Sequence, residues 1–315
     1  MSEQLLRAAV VGVGHLGRHH ARILSSVEGA RLEAVVDVNE ARAREIASGV
    51  GARALASARD LLGSVDLVSI ASPTETHAEI AALFLEHGIP VLVEKPLARS
   101  VAEADAIIAA AARSGATLAV GHTERFNPAV MAARPAVDNP GFIEVHRLGT
   151  FPERSLDIDV VFDLMIHDLD LVLSIVQSDI ESIEAVGVPV LTDRFDIANA
   201  RLRFATGCVA NITASRISRD RTRKIRFFQR DAYISIDTGA KEAEVYRLVR
   251  LPGRRPAIEG GKIPVPAGEP LRNELQDFVD AVRFGRAPLV GGEDGRRAVA
   301  LAADITERMA ACTRT

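Results

Sequence analysis

The chain has 315 residues, of which 48% are hydrophobic and 25% charged, and its formal net charge is -4 at pH 7. The length predicts about two domains, the composition is typical of globular proteins, and the slight acidity excludes the basic footprint of a nucleic-acid-binding protein. No apolar run is long enough for a membrane span, the opening MSEQLLR lacks the core of a secretory signal, and two cysteines are too few for a disulfide framework. We therefore expect a cytoplasmic protein with no nucleic-acid or membrane partner.

Through residue 121, short apolar runs alternate with helical patterns. Strands are predicted at Ala8–Val13, Leu32–Val36, Leu67–Ala71, Val91–Val93 and Thr117–Val120. Helices are predicted at Leu16–Ser26, Ala41–Gly49, Thr74–His87 and Val101–Ser114. Strands that are apolar throughout and separated by helices indicate a parallel sheet covered on both faces. We expect an α/β domain with the doubly wound Rossmann sheet, which binds ligands at the carboxyl ends of its strands.

The first strand runs into a turn with the spacing G-x-G-x-x-G. Gly12 allows a sharp turn, Gly14 lets the backbone approach a pyrophosphate, and Gly17 lets the following helix lie close to the strand. The helix start at His15 and Leu16 would present N–H groups to the phosphates. Because glycines also mark ordinary turns, the motif needs its context, and here a strand precedes it and a helix follows. We predict a dinucleotide site.

An acid follows the second strand. Asp37 lies about twenty residues beyond Gly17, where a side chain that pairs with the adenosine ribose hydroxyls is expected. An acid at this position favours NAD, because it would repel the 2′-phosphate of NADP. Arg42 is close enough in sequence to leave NADP possible.

The next two strand ends also carry polar residues. After Ala71 the predicted cofactor contacts are Ser72, Pro73, Thr74 and His77, although a Pro/Thr segment also starts helices for purely structural reasons. After Val93 come Glu94 and Lys95, which we add to the cofactor site. A lysine at a strand end is usually solvated, but at a cofactor cleft it could hold a substrate hydroxyl or stabilise a developing alkoxide.

The pattern changes after residue 121. Alternating strands are predicted at Phe142–Leu148, Ile180–Val186, Ala198–Phe204, Val209–Ile217, Lys224–Gln229 and Glu244–Val249, and helices at Val160–Val176, Leu271–Phe284 and Gly295–Cys312. Alternation near turn signals is typical of an antiparallel sheet with one covered face. We assign residues 1–121 to a NAD(P)-binding domain. Residues 122–315 form an α+β domain for substrate binding and oligomerisation, with an open, mostly antiparallel sheet and terminal helices that could pack back on the first domain.

The helix at Val160–Val176 is apolar at most positions, yet Asp163, His167 and Asp170 share one face at i, i+4 and i+7. Burying carboxylates is expensive unless they are paired, and a histidine bonded to an aspartate one turn away satisfies both and suits a general acid/base. Taken alone, such a pairing is more often structural than catalytic. No third or fourth ligand is spaced to complete a metal site, so we predict no metal.

Taken together, the glycine turn, the EKPL at Glu94–Leu97 and the D-x-x-x-H at Asp163–His167 resemble the Gfo/Idh/MocA family of NAD(P)-dependent oxidoreductases in order and spacing. The resemblance covers essentially the whole chain. It implies a Rossmann domain followed by an open antiparallel sheet whose exposed face builds a dimer or tetramer. It also implies that Lys95 and His167 are catalytic, with Asp163 beside them.

Two segments, GHTERFNPAV at 121–130 and VVFDLMIHDLDLVL at 160–173, are similar to the members that act on nucleotide-linked amino sugars. That likeness implies UDP-N-acetylglucosamine oxidised at C3 and a place in lipid A biosynthesis. The glycine-rich stretch that the family usually carries before the catalytic helix is replaced here by RSLDID at 154–159. The predicted substrate contacts are Lys95, Arg125, Asn127, Arg154, Asp163 and His167. Arg125, Arg147 and Arg154 could bind a diphosphate, or could be ordinary surface arginines.

The resulting hypothesis is hydride transfer between a secondary alcohol of a sugar and NAD. His167 would take the hydroxyl proton, Asp163 would orient His167, and Lys95 would hold the same oxygen. Two alternatives stay open: an inositol or free-sugar dehydrogenase, and a NAD-binding regulator of the same fold without chemistry.

Overall fold

The computed structural model describes residues 5–151, 158–252 and 254–312. The chain divides into two compact units, one of Met1–Thr123 with Glu269–Val299 and one of Glu124–Gly268 with Ala300–Thr315. The sequence placed one boundary after residue 121, whereas the structure returns residues 269–299 to the first unit. None of the helices in the described ranges combines the length and apolarity that a bilayer span requires.

The first unit contains a six-stranded parallel sheet with the order β3-β2-β1-β4-β5-β6. Its strands are β1 (Leu6–Val11), β2 (Ala30–Val36), β3 (Arg53–Leu55), β4 (Leu67–Ile70), β5 (Val91–Glu94) and β6 (Leu118–Gly121). The helices that connect them are α1 (Gly17–Leu24), α2 (Glu40–Val50), α3 (His77–Leu85) and α4 (Val101–Ser114). This confirms the predicted Rossmann sheet. The strand β3 was missed because three residues carry too little periodicity to detect.

The strand order reverses between β1 and β4, which both pair in parallel along the middle of the sheet. In open α/β sheets the ligand crevice lies outside the carboxyl ends of the strands at such a switch point. The residues that follow β1, β2, β4 and β5 therefore lie along the edge where a dinucleotide is expected.

The second unit contains an eight-stranded sheet with the order β14-β13-β12-β11-β7-β10-β9-β8. Its strands are β7 (Phe142–Leu148), β8 (Ile180–Val188), β9 (Ile197–Phe204), β10 (Val209–Ser215), β11 (Thr222–Gln229), β12 (Ala232–Asp237), β13 (Glu242–Val249) and β14 (Ala257–Lys262). All neighbouring strands are antiparallel except β7 and β10. This confirms the mostly antiparallel sheet; β12 and β14 were not predicted.

Buried and more accessible positions alternate along this sheet. On β7, Ile143, Val145 and Arg147 are buried, while the residues between them are partly exposed. Because successive side chains point to opposite faces of a strand, one face of the sheet is covered and the other is open.

The remaining helices are α5 (Pro128–Ala133), α6 (Ile166–Ile175), α7 (Pro270–Phe284) and α8 (Gly292–Cys312). In α7, Leu275, Phe278 and Val279 recur at helical spacing and join the apolar core of the first unit. The helix predicted as regular from Val160 begins instead with a π-helical turn at Val161–Met165. Such turns insert a residue into the helix, so the periodicity that placed Asp163 and Asp170 on one face does not hold across it.

Candidate functional site

The three motif glycines of the first unit have different physical reasons to be glycine. Gly12 has φ +84, and a Cβ there would lie 2.6 Å from the Ser72 backbone. A Cβ on Gly17 would lie 1.7 Å from the Gly12 carbonyl oxygen. A Cβ on Gly14 would meet nothing within 4 Å. The fold therefore requires glycine at positions 12 and 17. At position 14 the fold would tolerate a side chain, and only a ligand that approaches the backbone would need the space.

The start of α1 suits an anion. His15 and Leu16 are exposed there, and no side chain caps the helix at Leu16. Uncapped N–H groups at a helix start attract phosphate. Together with Gly14, these groups fit the pyrophosphate of a dinucleotide.

Asp37 ties the end of β2 to the glycine turn. Its Oδ2 accepts a hydrogen bond from the Val13 amide at 3.0 Å and its Oδ1 accepts one from the Asn39 amide at 2.9 Å. Arg42 lies 3.9 Å from the same carboxylate. Each carboxylate oxygen retains a second lone pair, so Asp37 can still accept from ribose hydroxyls. These residues fit NAD, as the sequence predicted.

His77 links the loops that follow β4 and β5. The buried ring lies between two backbone carbonyls, with Nε2 2.9 Å from the Ser72 oxygen and Nδ1 3.0 Å from the Pro96 oxygen. Within the first of these loops, the hydroxyls of Ser72 and Thr76 are 2.7 Å apart, and Pro73 and Thr74 open a short 3-10 turn. His77 therefore holds the loops that carry Ser72 and Pro96 in place through their backbone carbonyls.

A buried network lies behind Lys95. Glu94 accepts hydrogen bonds from His20 Nε2 at 2.9 Å and from the Lys95 amide at 3.0 Å, and His20 Nδ1 lies 2.8 Å from the Ser69 hydroxyl. Burial favours a higher pKa for Glu94, but the hydrogen bond and charge of His20, with the charge of Lys95, hold that pKa below its ordinary value. The Lys95 backbone is thus anchored to an ionised carboxylate.

His20 was not predicted from the sequence. The sequence does contain a signal for a buried histidine. His20 lies three residues after Gly17 and next to Ala21, and all three are on the buried face of α1. A histidine on that face must find buried partners, and the structure provides Ser69 and Glu94.

In the second unit, the acids of α6 form buried ion pairs. Asp168 accepts from Arg147 Nε at 2.6 Å and from Nη2 at 2.8 Å, and Arg147 Nη1 donates to Glu124 at 3.0 Å. Although burial favours a lower pKa for Arg147, these two carboxylates hold it above its ordinary value. Arg125 donates to Asp170 at 2.7 and 2.9 Å.

These pairs replace one interpretation of the sequence. Arg147 and Arg125 are already bound to carboxylates through both arms of the guanidinium, so we no longer assign a substrate diphosphate to them. Asp170 is bound to Arg125 and thus has a structural partner outside its own helix. Arg154, the third predicted arginine, lies outside the described residues.

Asn127 also has a structural role. Its Oδ1 accepts from the Ala129 amide and caps α5, and its Nδ2 donates to the Thr238 carbonyl oxygen at 3.0 Å and to Glu124 at 3.2 Å. Both amide hydrogens of Asn127 are therefore engaged within the protein, whereas its oxygen retains a second lone pair, and the contact with substrate stays a prediction.

Asp163 and His167 are both partly accessible, whereas Asp168 and Asp170 are buried. Asp163 lines a cavity of about 290 Å³ at the end of β7. The other lining residues are Arg147, Leu148, Gly149, Thr150, Leu164, Arg216, Arg221 and Arg223. A carboxylate from the predicted catalytic helix thus faces a cavity rich in arginine, which suits a polar, anionic ligand.

Two family models match the chain. The oxidoreductase family with an NAD-binding Rossmann fold, GFO/IDH/MocA, matches residues 6–122, and the GFO/IDH/MocA C-terminal domain matches residues 142–235. Over 304 residues the chain is 39% identical to a UDP-N-acetylglucosamine 3-dehydrogenase of Acidithiobacillus ferrooxidans, covering 95% of this chain and 96% of that one. It is 28% identical to an inositol 2-dehydrogenase of Rhizobium meliloti, covering 94% of each.

Solved structures agree. A crystal form of the Acidithiobacillus ferrooxidans enzyme superposes with a TM-score of 0.92 at 37% identity, covering 98% of this chain and 99% of that one. A levoglucosan dehydrogenase in complex with NADH shares the fold, with a TM-score of 0.87 at 20% identity and coverage of 98% and 97%. The chain therefore belongs to the Gfo/Idh/MocA family of oxidoreductases, and its first unit is the NAD-binding domain.

Proposed function

We propose that this protein is an NAD-dependent dehydrogenase that oxidises the C3 hydroxyl of UDP-N-acetylglucosamine. The observation that carries the proposal is similarity along the whole chain to a dehydrogenase of that substrate, at 39% identity over 95% of the residues. The relatives that share this NAD-binding domain act on different substrates, so similarity that also covers the second unit bears on substrate specificity. The inositol 2-dehydrogenase is covered equally well but is only 28% identical.

We assign roles to three residues of this chain. His167 takes the proton of the reacting hydroxyl as general base. Asp163 orients the imidazole and stabilises its protonated form. Lys95 holds the same hydroxyl oxygen and stabilises the negative charge that develops on it. NAD, when bound, supplies the redox chemistry as hydride acceptor, held by Gly14, the start of α1 and Asp37.

The local structure supports these roles. Lys95 follows a strand end whose backbone is anchored by Glu94, so its position is set by the fold rather than by a mobile surface. Asp163 faces the arginine-rich cavity. His167 is partly accessible on α6, as a proton acceptor must be.

The proposal is tested by NADH formation from NAD with UDP-N-acetylglucosamine, free N-acetylglucosamine, glucose and myo-inositol. We expect turnover with the nucleotide sugar and at least a hundredfold lower kcat/KM with each of the others. Preferred turnover of myo-inositol or glucose would establish the alternative dehydrogenase. Tight NAD binding without NADH formation from any of them would establish a regulator.

We also propose that the chain forms a homodimer or homotetramer through the open face of the second sheet. Phe142, Phe228, Tyr233 and Tyr246 line up there across neighbouring strands, with ring centroids 5.6, 5.2 and 6.2 Å apart. A contiguous apolar patch of this kind is typical of an interaction surface. Light scattering should give a dimer or tetramer mass that Phe228→Glu reduces. Phe284→Glu, at the exposed last residue of α7, should leave that mass unchanged. A monomeric parent protein would refute the proposal.

A cytoplasmic location and a step in lipid A biosynthesis belong to the same proposal. The location follows from the substrate, because UDP-linked sugars are made where nucleotides are available. The step in lipid A biosynthesis follows from the likeness to dehydrogenases of nucleotide-linked amino sugars. They stand or fall with turnover of UDP-N-acetylglucosamine.

A further inference from the structure

The geometry points to a diphosphate subsite formed by Arg221 and Arg223 in the cavity beside Asp163. Its ligand is the diphosphate of a nucleotide sugar. The inference rests on the proposed function for the identity of that sugar, but the binding of a diphosphate can be measured without turnover.

Arg223 occupies a position that the sheet alone would not favour. It lies directly opposite Arg147 in the antiparallel pair of β11 and β7, and Ile225 and Phe227 of the same alternating set are buried. Arg223 is therefore on the same side of the sheet as these two residues, but it lies near the end of the strand, where its side chain is exposed. Like charges directly opposite each other across a strand pair are destabilising. Residues that break a local rule in this way are expected at functional sites.

Within the part of the chain that the structure describes, two of the four cavity arginines are paired with carboxylates. Arg147 binds Asp168 and Glu124, and Arg216 binds Asp196 through Nε at 2.8 Å. In the described ranges, neither Arg221 nor Arg223 forms an ion pair with a carboxylate.

The remaining contacts of the two arginines are weak. Arg221 makes one long contact, 3.5 Å, to the Thr150 hydroxyl. The charge of Arg223 acts on Asp168, but both oxygens of that carboxylate already accept from Arg147. Among the described lining residues, Arg221 and Arg223 thus stand against one carboxylate, that of Asp163, so this part of the lining has an excess of positive charge.

The groups that line the cavity favour phosphate oxygens over other anions. Arginine presents planar N–H groups that match phosphate in pairs. Gly149 and Thr150, at the end of β7, line the same cavity. Gly149 leaves space because it has no side chain, and Thr150 offers a hydroxyl group. A diphosphate could therefore be held by the two guanidinium groups and the Thr150 hydroxyl.

Asp163 fixes the orientation of the ligand. A carboxylate repels phosphate, so the diphosphate must lie at the Arg221 and Arg223 end of the cavity and the neutral sugar at the Asp163 end. The anomeric carbon that carries the diphosphate belongs to the same hexose ring as C3. Binding the diphosphate in this cavity therefore brings a ring hydroxyl toward the acidic residue of the predicted catalytic helix.

The test is isothermal titration of the full chain with UDP, UMP and uridine, using Arg221→Gln, Arg223→Gln and the double variant. We expect UDP to bind at least tenfold more tightly than UMP. Each single substitution should weaken UDP binding by about tenfold, in line with the loss of charge-assisted hydrogen bonds, and the double variant should erase the preference for UDP. Arg223→Lys, which keeps the charge but loses the paired N–H groups, should fall between the parent and Arg223→Gln.

The matched control is Arg230→Gln, since the Arg230 side chain is 96% exposed at a turn. It should leave UDP affinity unchanged. NAD titration of every variant checks that the chain is folded, and higher ionic strength should weaken UDP binding to the parent more than to the double variant. An unchanged UDP affinity in the folded double variant would overturn the inference.

Failure of the inference is distinct from failure of the proposed function. Normal turnover of UDP-N-acetylglucosamine with unchanged KM in both arginine variants would remove the subsite and keep the dehydrogenase. Loss of UDP binding in the variants of a protein that does not oxidise UDP-N-acetylglucosamine would keep the subsite and remove the proposed substrate.

Discussion

The two units build their candidate sites from different materials. In the first unit, polar groups are held mainly by the backbone: Asp37 by two amides, His77 between two carbonyls, and Glu94 by the Lys95 amide together with the His20 side chain. In the second unit, arginine and carboxylate side chains far apart in sequence form buried ion pairs. A site made by backbone turns leaves a local motif in the sequence, whereas a site made by distant ion pairs does not.

The largest expected effect tests whether both units contribute to the reaction. Lys95→Ala and His167→Ala should each reduce kcat on UDP-N-acetylglucosamine by roughly a hundredfold to ten-thousandfold, the range of general acid–base catalysis. NAD affinity, measured by titration, should change little. Normal turnover in either variant would remove that residue from the proposed mechanism.

The next effect tests the ion pairs of the second unit. Asp168→Asn leaves Arg147 buried with an incomplete set of partners, so the free energy of unfolding should fall by roughly 3–5 kcal/mol. Glu144→Gln is the matched control, because Glu144 pairs with Arg226 on the open face of the sheet and both side chains are 31% exposed. A pair of that kind is worth about 1 kcal/mol or less. Equal losses in denaturant unfolding would contradict the distinction.

Substitutions at two glycines of the turn should affect different properties of the first unit, folding stability in one case and cofactor binding in the other. Gly17→Ala should destabilise the unit by roughly 1–3 kcal/mol, because the added Cβ cannot be accommodated against the Gly12 carbonyl. Gly14→Ala should leave the thermal midpoint unchanged and weaken NAD binding several-fold. The comparison fails if Gly14→Ala unfolds the protein or binds NAD normally.

The smallest expected effect is a loss of folding stability at low pH. Asp196 is buried; burial favours a higher pKa, but amides from Leu191, Val190 and Thr192 and the Arg216 guanidinium hold the pKa well below its ordinary value. A carboxyl with a depressed folded pKa stabilises fully above its unfolded pKa of about 3.9 and loses that contribution as pH falls toward the folded value.

Between pH 7 and pH 3 this one group should account for about 1 kcal/mol of lost stability. Asp196→Asn should therefore be less stable than the parent at pH 7, and the gap should narrow by that amount at pH 3. A gap that stays constant across this range of pH in urea unfolding would show that Asp196 is not the responsible group.

Features that depend on neighbouring residues could be predicted from the sequence, and features that depend on distant contacts could not. The glycine turn, Asp37 and the alternating strands are set by neighbouring residues, so the Rossmann sheet, the antiparallel sheet, the NAD cofactor and the family were all predicted correctly. The roles of Lys95, Asp163 and His167 came from the resemblance and remain predictions. Arg223 was missed because the predicted strand began at Lys224, two residues after the observed start of β11, although the alternation with Ile225 and Phe227 places it on their side of the sheet.

The sequence by itself determined the elements, because hydrophobic periodicity and turn residues act over a few positions. Only the tertiary structure decided the partners. It paired Arg125 with Asp170 and Arg147 with Asp168, used Asn127 as a cap, and widened the start of the α6 helix into a π turn. It also returned α7 to the first unit. Each of these depends on which residues meet across tens of positions, and the free energy of such contacts is set by burial and geometry that no local pattern records.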